Sequence, residues 1–274
     1  MLSFPNAKIN LGLKVLRKRE DGYHDIETCF YPIQLRDALE VIQDDDPHGF
    51  IKFSFTGLPV VGSEEDNLCI QAYYLLKRDF PKLPGIKMHL HKSIPMGAGL
   101  GGGSADGAFV LKLLNDKFEL QLTAEQLLEY AAQLGSDAPF FIINKPCFAT
   151  GRGEILKEAN IDLSKYSIVL VNPNIHVSTA WAFSQLRLNE VHAASIYESI
   201  LQPIETWKDN LVNDFEGPVF EKYPAIKEIK DKMYEEGALY SAMSGSGSTV
   251  FGIFKDPITG SLFSEKGYFE KLIN

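Results

Sequence analysis

Five glycines occupy the seven positions Gly97-Ala98-Gly99-Leu100-Gly101-Gly102-Gly103, and Ser104-Ala105-Asp106 then opens a stretch of helical character. Glycine costs conformational entropy, so such a cluster suits a loop whose main-chain N–H groups curl around a bulky anion without Cβ atoms in the way. A helix starting there adds unpaired N–H groups and a positive dipole end at Ser104 to Asp106, and loop and helix together make a phosphate cradle. Two further places hold side chains suited to chemistry on that anion. Lys8 and Asn10 lie two apart in an alternating segment, so they share a strand face with Cα atoms about 6.5 to 7 Å apart. Asp137 directly follows a helix stop in Gly135-Ser136-Asp137-Ala138-Pro139. On spacing alone the Lys8 face is an ordinary solvent face, and Asp137 can equally cap the next short helix.

Other readings of the glycine loop fare worse. Positions 97, 99 and 102 satisfy G-x-G-x-x-G, but a dinucleotide turn follows a buried strand directly and leads to a second strand ending in an acidic residue. Here Pro95 interrupts the approach, and Asn115 to Leu122 makes a poor parallel strand. No Gly-Lys pair exists for a P-loop, and no H-R-D or D-F-G sequence for a protein kinase. A flexible linker would not run into so apolar a helix.

The elements that must position these residues are legible from periodicity. Ala7, Ile9, Leu11, Leu13 and Val15 alternate with polar residues and glycine as a half-buried strand, Asp21-Gly22 turns the chain, and Ile26, Thr28 and Phe30 begin another extended segment. Asp66 or Asn67 caps a helix that ends near Pro81. Ile86, Met88 and Leu90 form one face of the strand leading to the loop. His89 and His91 share the other, and with no third ligand in the pattern they read as exposed strand histidines rather than a metal site. Thr123-Ala124-Glu125-Gln126 is a capping box whose helix stops at Gly135. Strands are expected at 146–150 and 167–171, and one helix from Val219 through Met233 to a stop at Gly237. Gly151-Arg152-Gly153-Glu154 marks a domain boundary. Ser244-Gly245-Ser246-Gly247-Ser248-Thr249, read as lying between helix and strand, offers N–H and hydroxyl groups suited to a phosphate or sugar.

The chain has 274 residues, 45% of them hydrophobic and 23% charged, enough for an ample core in two domains or one large one. A formal charge of −9, from 27 basic and 36 acidic residues, argues against a general nucleic-acid binder. The basic run Arg17-Lys18-Arg19 meets Glu20-Asp21 at once and reads as a solvated turn. Cys29, Cys69 and Cys147 form no disulfide framework or zinc pattern. With no membrane span and no signal peptide in the sequence, the expectation is a cytoplasmic protein, monomeric or weakly dimeric.

Several of these pieces in order resemble the GHMP small-molecule kinases, and more closely their 4-diphosphocytidyl-2-C-methyl-D-erythritol kinases of the non-mevalonate isoprenoid pathway. They are Pro5-Asn6-Ala7-Lys8-Ile9-Asn10-Leu11, Asp21-Gly22-Tyr23-His24, Pro95 to Asp106, Gly135 to Pro139, Gly151 to Glu154, Asn213-Asp214-Phe215-Glu216 and Met243 to Thr249. The resemblance implies an α+β fold of two domains, 1–153 like ribosomal protein S5 domain 2 and 154–274 ferredoxin-like, with the active site in the cleft between them. It implies transfer of the γ-phosphoryl of ATP to the 2-hydroxyl of 4-diphosphocytidyl-2-C-methyl-D-erythritol, with Mg²⁺. It matches Lys8 and Asp137 to the catalytic pair, and Pro95-Met96-Gly97-Ala98-Gly99-Leu100-Gly101-Gly102-Gly103-Ser104-Ala105 to the ATP loop. Tyr23, His24 and Phe183 match the cytosine site, and Asn10 can hold the substrate hydroxyl or a phosphate oxygen. Where relatives ligate Mg²⁺ through a loop serine, Gly103 stands here, leaving Ser104 or water, so no metal ligand is named. The alternatives are another GHMP kinase, acting on mevalonate, homoserine or a sugar, and a nucleotide-binding protein without catalysis.

Overall fold

A computed structural model describes residues 1–45, 50–60, 62–186 and 195–273. The chain begins with β1 (Leu2–Ser3) and the long strands β2 (Asn6–Lys18) and β3 (His24–Arg36), joined at the Asp21-Gly22 turn. There Arg17 and Arg19 pair with Asp25, and Arg19 with Asp21, so both arginines of the basic run are paired locally. Next come β4 (Ala38–Gln43), β5 (Ile51–Gly57), α1 (Leu68–Asp79) and β6 (Ile86–Lys92). Asn67 caps α1, its side chain accepting from Cys69 N at 2.9 Å. The glycine loop leads into α2 (Gly102–Lys117), then α3 (Ala124–Leu134) and α4 (Ala138–Ile143). Both hydrogen bonds of the capping box are present at Thr123 and Gln126.

The hairpin β7 (Cys147–Thr150) and β8 (Ile155–Glu158) follows, with 151–154 as its turn, and then β9 (Ser167–Asn172). Short helices α5 (Thr179–Gln185), α6 (Ile196–Ile200) and α7 (Trp207–Asn210) precede α8 (Glu216–Lys222) and α9 (Pro224–Glu235). The single helix expected over 219–233 is therefore two. Pro224 has no N–H to donate and disfavours helical torsions at Tyr223, which adopts φ −128° and ψ 76°. The chain finishes with β10 (Tyr240–Met243), β11 (Val250–Phe254) and β12 (Phe269–Ile273).

Contacts divide the chain into two units interleaved along the sequence. One comprises 1–7, 35–96 and 101–145, and the other 8–34, 97–100 and 146–274. In the first, the sheet β1-β4-β6-β5 is antiparallel except for the parallel β5–β6 pair. Its inner face, with Leu39, Val41, Ile86, Met88 and Leu90, is buried, while His89 and His91 lie outside, hydrogen-bonded to Ser54 and Thr56 of β5. Helix α2 is buried at nine positions and packs on α1, α3 and α4. The second unit holds the sheets β2-β3-β7-β8 and β10-β11-β9-β12. Strands β9, β10 and β11 are buried along their whole length, and α8 and α9 contribute Val219, Ile226, Ile229 and Met233 to the same core. Mixed helix and mostly antiparallel sheet make this an α+β protein.

Candidate active site

Strand β2 carries Lys8 and Asn10 on a face that the structure buries rather than solvates, leaving Lys8 3% and Asn10 2% exposed. A buried ammonium requires partners, and Lys8 Nζ donates to Asn10 Oδ1 at 2.6 Å and lies 4.9 Å from the centre of the Phe30 ring. Asn10 Nδ2 donates to Thr28 Oγ1 at 3.0 Å, and Thr28 donates to the Gly12 carbonyl at 2.5 Å. That chain of bonds fixes which end of the Asn10 amide faces the lysine. Main-chain Lys8 N also donates to Leu100 O at 3.0 Å, tying the strand to the glycine loop.

The serine turn 244–249 is the tip of the β10–β11 hairpin, not a helix-to-strand connection. Its hydroxyls are largely spent inside the fold: Ser244, Ser248 and Thr249 are fully buried. Ser244 Oγ donates to Gly99 O at 2.8 Å and accepts from Asn10 N at 3.2 Å, so one hydroxyl joins the lysine strand and the loop. Thr249 N donates to Ala98 O at 3.3 Å, while Asn172 Nδ2 donates to Ser248 Oγ and Thr249 Oγ1. Asn213 Nδ2 donates to Met243 O and Gly245 O, and Glu216 Oε1 accepts from Met243 N. Asn213-Asp214-Phe215-Glu216 is thus a scaffold for the serine turn, and the turn a brace for the glycine loop.

Helix α2 starts at Gly102, two residues before the expected opening at Ser104. Its first bond runs from Ala105 N to Gly101 O, so the N–H groups ahead of the ladder are those of Gly102, Gly103 and Ser104. Beneath them Lys92, Asp37 and Asp106 form a buried triad, each at most 3% exposed. Asp37 accepts from Lys92 and from the main-chain N–H groups of Ser93 and Ile94, which fixes the approach to the loop. Asp106 accepts only from Lys92, at 2.7 Å, and its Oδ1 has no partner among the described residues. Burial, helped by Asp37 and opposed by Lys92, pushes the Asp106 carboxyl up to about 8. Burial opposes the charge on Lys92 too, but the two carboxyl groups outweigh it and its pKa is raised.

The sign of the linkage follows from proton binding. Folded Asp106 keeps a proton that the unfolded chain loses near the ordinary carboxyl value of 3.8, so its contribution is intact below that value and is lost as pH rises toward 8. The variant D106N keeps the shape without the charge. Its melting temperature is expected to gain steadily on that of the wild type from pH 5 to pH 8 and to hold a constant lead above, as measured by calorimetry in matched buffers.

Asp137 is half-buried at the start of α4, and its side chain makes no capping hydrogen bond to that helix. The capping role open to it in the sequence is not the one it adopts. His24 stacks on Phe183, with ring centres 4.7 Å apart and planes 17° from parallel, and Phe215 supports Phe183 edge-on at 4.8 Å. Burial, with Lys18 nearby, lowers the pKa of His24, favouring the neutral ring with one donor and one acceptor. Tyr23 is 57% exposed and lies under Arg152 instead of on Phe183 or His24. Thus the structure joins Lys8, Asn10 and residues 98–100 of the loop, and separately His24 and Phe183. Asp137 and Lys8 belong to different units.

Residues 67–145 match the family model described as GHMP kinases N terminal domain, and 196–266 that described as GHMP kinases C terminal. The 4-diphosphocytidyl-2-C-methyl-D-erythritol kinase of Bacteroides fragilis is 53% identical over 255 residues, covering 93% of this chain and 92% of that protein. The protein of the same name from Parabacteroides distasonis is 49% identical over 268 residues, 97% of each. A crystal structure of 4-(cytidine 5'-diphospho)-2C-methyl-D-erythritol kinase superposes with a TM-score of 0.79 at 33% identity, covering 94% of this chain and 91% of that one. The chain belongs to the 4-diphosphocytidyl-2-C-methyl-D-erythritol kinase family. It is an ATP-dependent small-molecule kinase with GHMP N- and C-terminal domains.

Among the described residues no three His, Cys, Asp or Glu side chains are grouped to hold a metal. Two contacts around these residues escaped the sequence. Ser244 was visible only as part of a polar turn, because its link to Asn10 spans 234 residues. Arg152 sat in a noticed motif, but nothing local indicates that it reaches Tyr23.

Proposed function

We propose that this kinase transfers the γ-phosphoryl of ATP to the 2-hydroxyl of 4-diphosphocytidyl-2-C-methyl-D-erythritol, giving the 2-phosphate and ADP. The near full-length identity to the Bacteroides fragilis kinase carries the reading, and the chemistry of the residues agrees with it. The acceptor is a tertiary alcohol, a poor acid, so its proton must leave as the new oxygen–phosphorus bond forms and the bond to the β-phosphate oxygen breaks. Asp137 takes that proton. Lys8, oriented by Asn10, turns the hydroxyl toward phosphorus and stabilises charge growing on the attacking oxygen and the transferring phosphoryl. The loop from Pro95 to Ala105 holds the triphosphate through main-chain N–H groups. Mg²⁺ brought with the nucleotide would supply charge neutralisation on the phosphates.

Base recognition falls to Tyr23, His24 and Phe183. Stacking on an aromatic ring contributes about 1 to 3 kcal/mol per base but does not distinguish cytosine from uracil. A hydrogen bond accepted from the exocyclic amine of cytosine, by the imidazole or main chain of His24, would make that distinction. The three buried cysteines, none of them in a disulfide, suit a reducing compartment, and among the described residues no helix is long and apolar enough to cross a membrane. We place the enzyme in the cytoplasm, as a monomer or weak dimer.

The test is purified protein with ATP, Mg²⁺ and the diphosphocytidyl alcohol, following ADP release. Saturable, substrate-dependent turnover is expected, with none on mevalonate, homoserine or a hexose. Absence of turnover on the cytidine substrate would refute the assignment.

A further inference from the structure

The turn Gly151-Arg152-Gly153-Glu154 takes no part in the transfer chemistry just described, yet its geometry is tightly set. Gly151 adopts φ +68°, which L side chains rarely adopt, and its carbonyl accepts from Ile26 N at 2.7 Å. The turn is therefore anchored to β3 two residues beyond His24. Arg152 N donates to Glu154 Oε2 at 2.6 Å, and Arg152 Nε reaches Glu154 Oε1 at 3.4 Å. Held in this way, the guanidinium carbon lies 4.9 Å from the centre of the Tyr23 ring. The backbone of Tyr23 is fixed as well, its N donating to Asp21 Oδ1 at 3.1 Å and its O accepting from Arg19 N at 2.8 Å. Tyr23 nevertheless remains 57% exposed, and among the described residues Arg152 is the cation set against its ring.

We propose that Arg152 is a positioning residue for the cytidine substrate: its guanidinium covers one face of the Tyr23 ring, so that the other face is presented, already oriented, to the base. The inference rests on Tyr23 being a cytosine contact. An exposed ring samples several rotamers, and freezing it on binding costs affinity, whereas a ring held by a cation on one face has lost that freedom beforehand. The planar guanidinium is the group suited to lie flat on a ring; an ammonium carries the same charge without that shape. Glu154 and the glycine turn set where the guanidinium sits.

The test compares wild type, R152M and R152K in turnover and in titrations of cytidine 5'-diphosphate followed by calorimetry. R152M is expected to raise KM for the cytidine substrate and Kd for cytidine 5'-diphosphate together, by about three- to tenfold. The KM for ATP and the melting temperature should change little, and R152K should recover only part of the loss. The decisive comparison is the same R152M change made in a Tyr23→Ala background, where it should have no further effect because the ring through which it acts is gone. An equal loss in both backgrounds, full recovery by R152K, or tighter binding in R152M would overturn the proposal. No turnover by the wild type would reject the substrate assignment and this inference with it, whereas normal turnover with an unchanged R152M rejects the inference alone.

Discussion

Asp137→Asn is expected to lower kcat by about 10²- to 10⁴-fold, the range that a positioned general base contributes. The substitution keeps size and shape and removes the lone pair that accepts the hydroxyl proton. Because the Asp137 side chain does not cap α4, the helix should survive it, and the KM for ATP should stay within about twofold of wild type. Lys8→Met should also lower kcat, for a different reason. It removes the donor to Asn10 Oδ1 and the charge over Phe30 while keeping an apolar stem in a buried position. Single-turnover quench experiments with saturating ATP should place both losses on the chemical step. If D137N instead lost ATP affinity and melting temperature in proportion to its activity, the residue would be structural.

Much of the molecule was legible in the sequence where local chemistry decides. The alternation in β2, the Asn67 cap, the Thr123 capping box and the inward face of β6 each depend on residues a few positions apart. The helix expected over 219–233 failed on local grounds as well: the apolar spacing continues through Pro224, but the missing N–H does not. What local reasoning could not supply was burial on a second face. Lys8 and Asn10 alternate with apolar residues as a solvent face would, yet Phe30 and Thr28 of β3 and Ser244 of the distant hairpin cover them. Strands β4 and β5 were missed because their exposed polar faces and partners 35 or more residues away leave little local signal.

The site shows the same division. The glycine cluster announces an anion loop because glycine is needed at the loop itself, whereas the groups that hold the loop in shape come from elsewhere in the chain. Asn213, Glu216 and Asn172 all act on the serine turn, which in turn holds Ala98 and Gly99. Resemblance picked out Asn213 to Glu216 without giving it a purpose. The hydrogen bonds supply one: preorganisation of the glycine loop, which for the ATP-binding role proposed above removes the cost of ordering its backbone.

Gly99→Ala should therefore abolish that preorganisation. A Cβ at Gly99 would stand 1.9 Å from Ser244 O, 2.9 Å from Ser244 C and 3.3 Å from Gly247 O, all main-chain atoms with no rotamer to yield, and the residue sits at φ +78°. To admit the methyl group, residues 97–100 must leave the serine turn and give up the bonds from Ser244 Oγ to Gly99 O and from Thr249 N to Ala98 O. The expected cost is about 3 kcal/mol or more of stability, lowering the melting temperature by about 6 °C or more. An ATP affinity at least about tenfold weaker should accompany it, since 1.4 kcal/mol of loop reordering suffices for that factor. Gly103→Ala is the contrasting variant. It lies four residues on within α2, where no neighbour comes within 4 Å of the added Cβ and φ is not positive, so it should leave the fold as stable or stabilise it by about 0.5 to 1 kcal/mol. Thermal melts and equilibrium ATP binding on both variants separate the cases. An unperturbed melting curve and unchanged ATP affinity in G99A would mean that the loop does not depend on its contact with the serine turn.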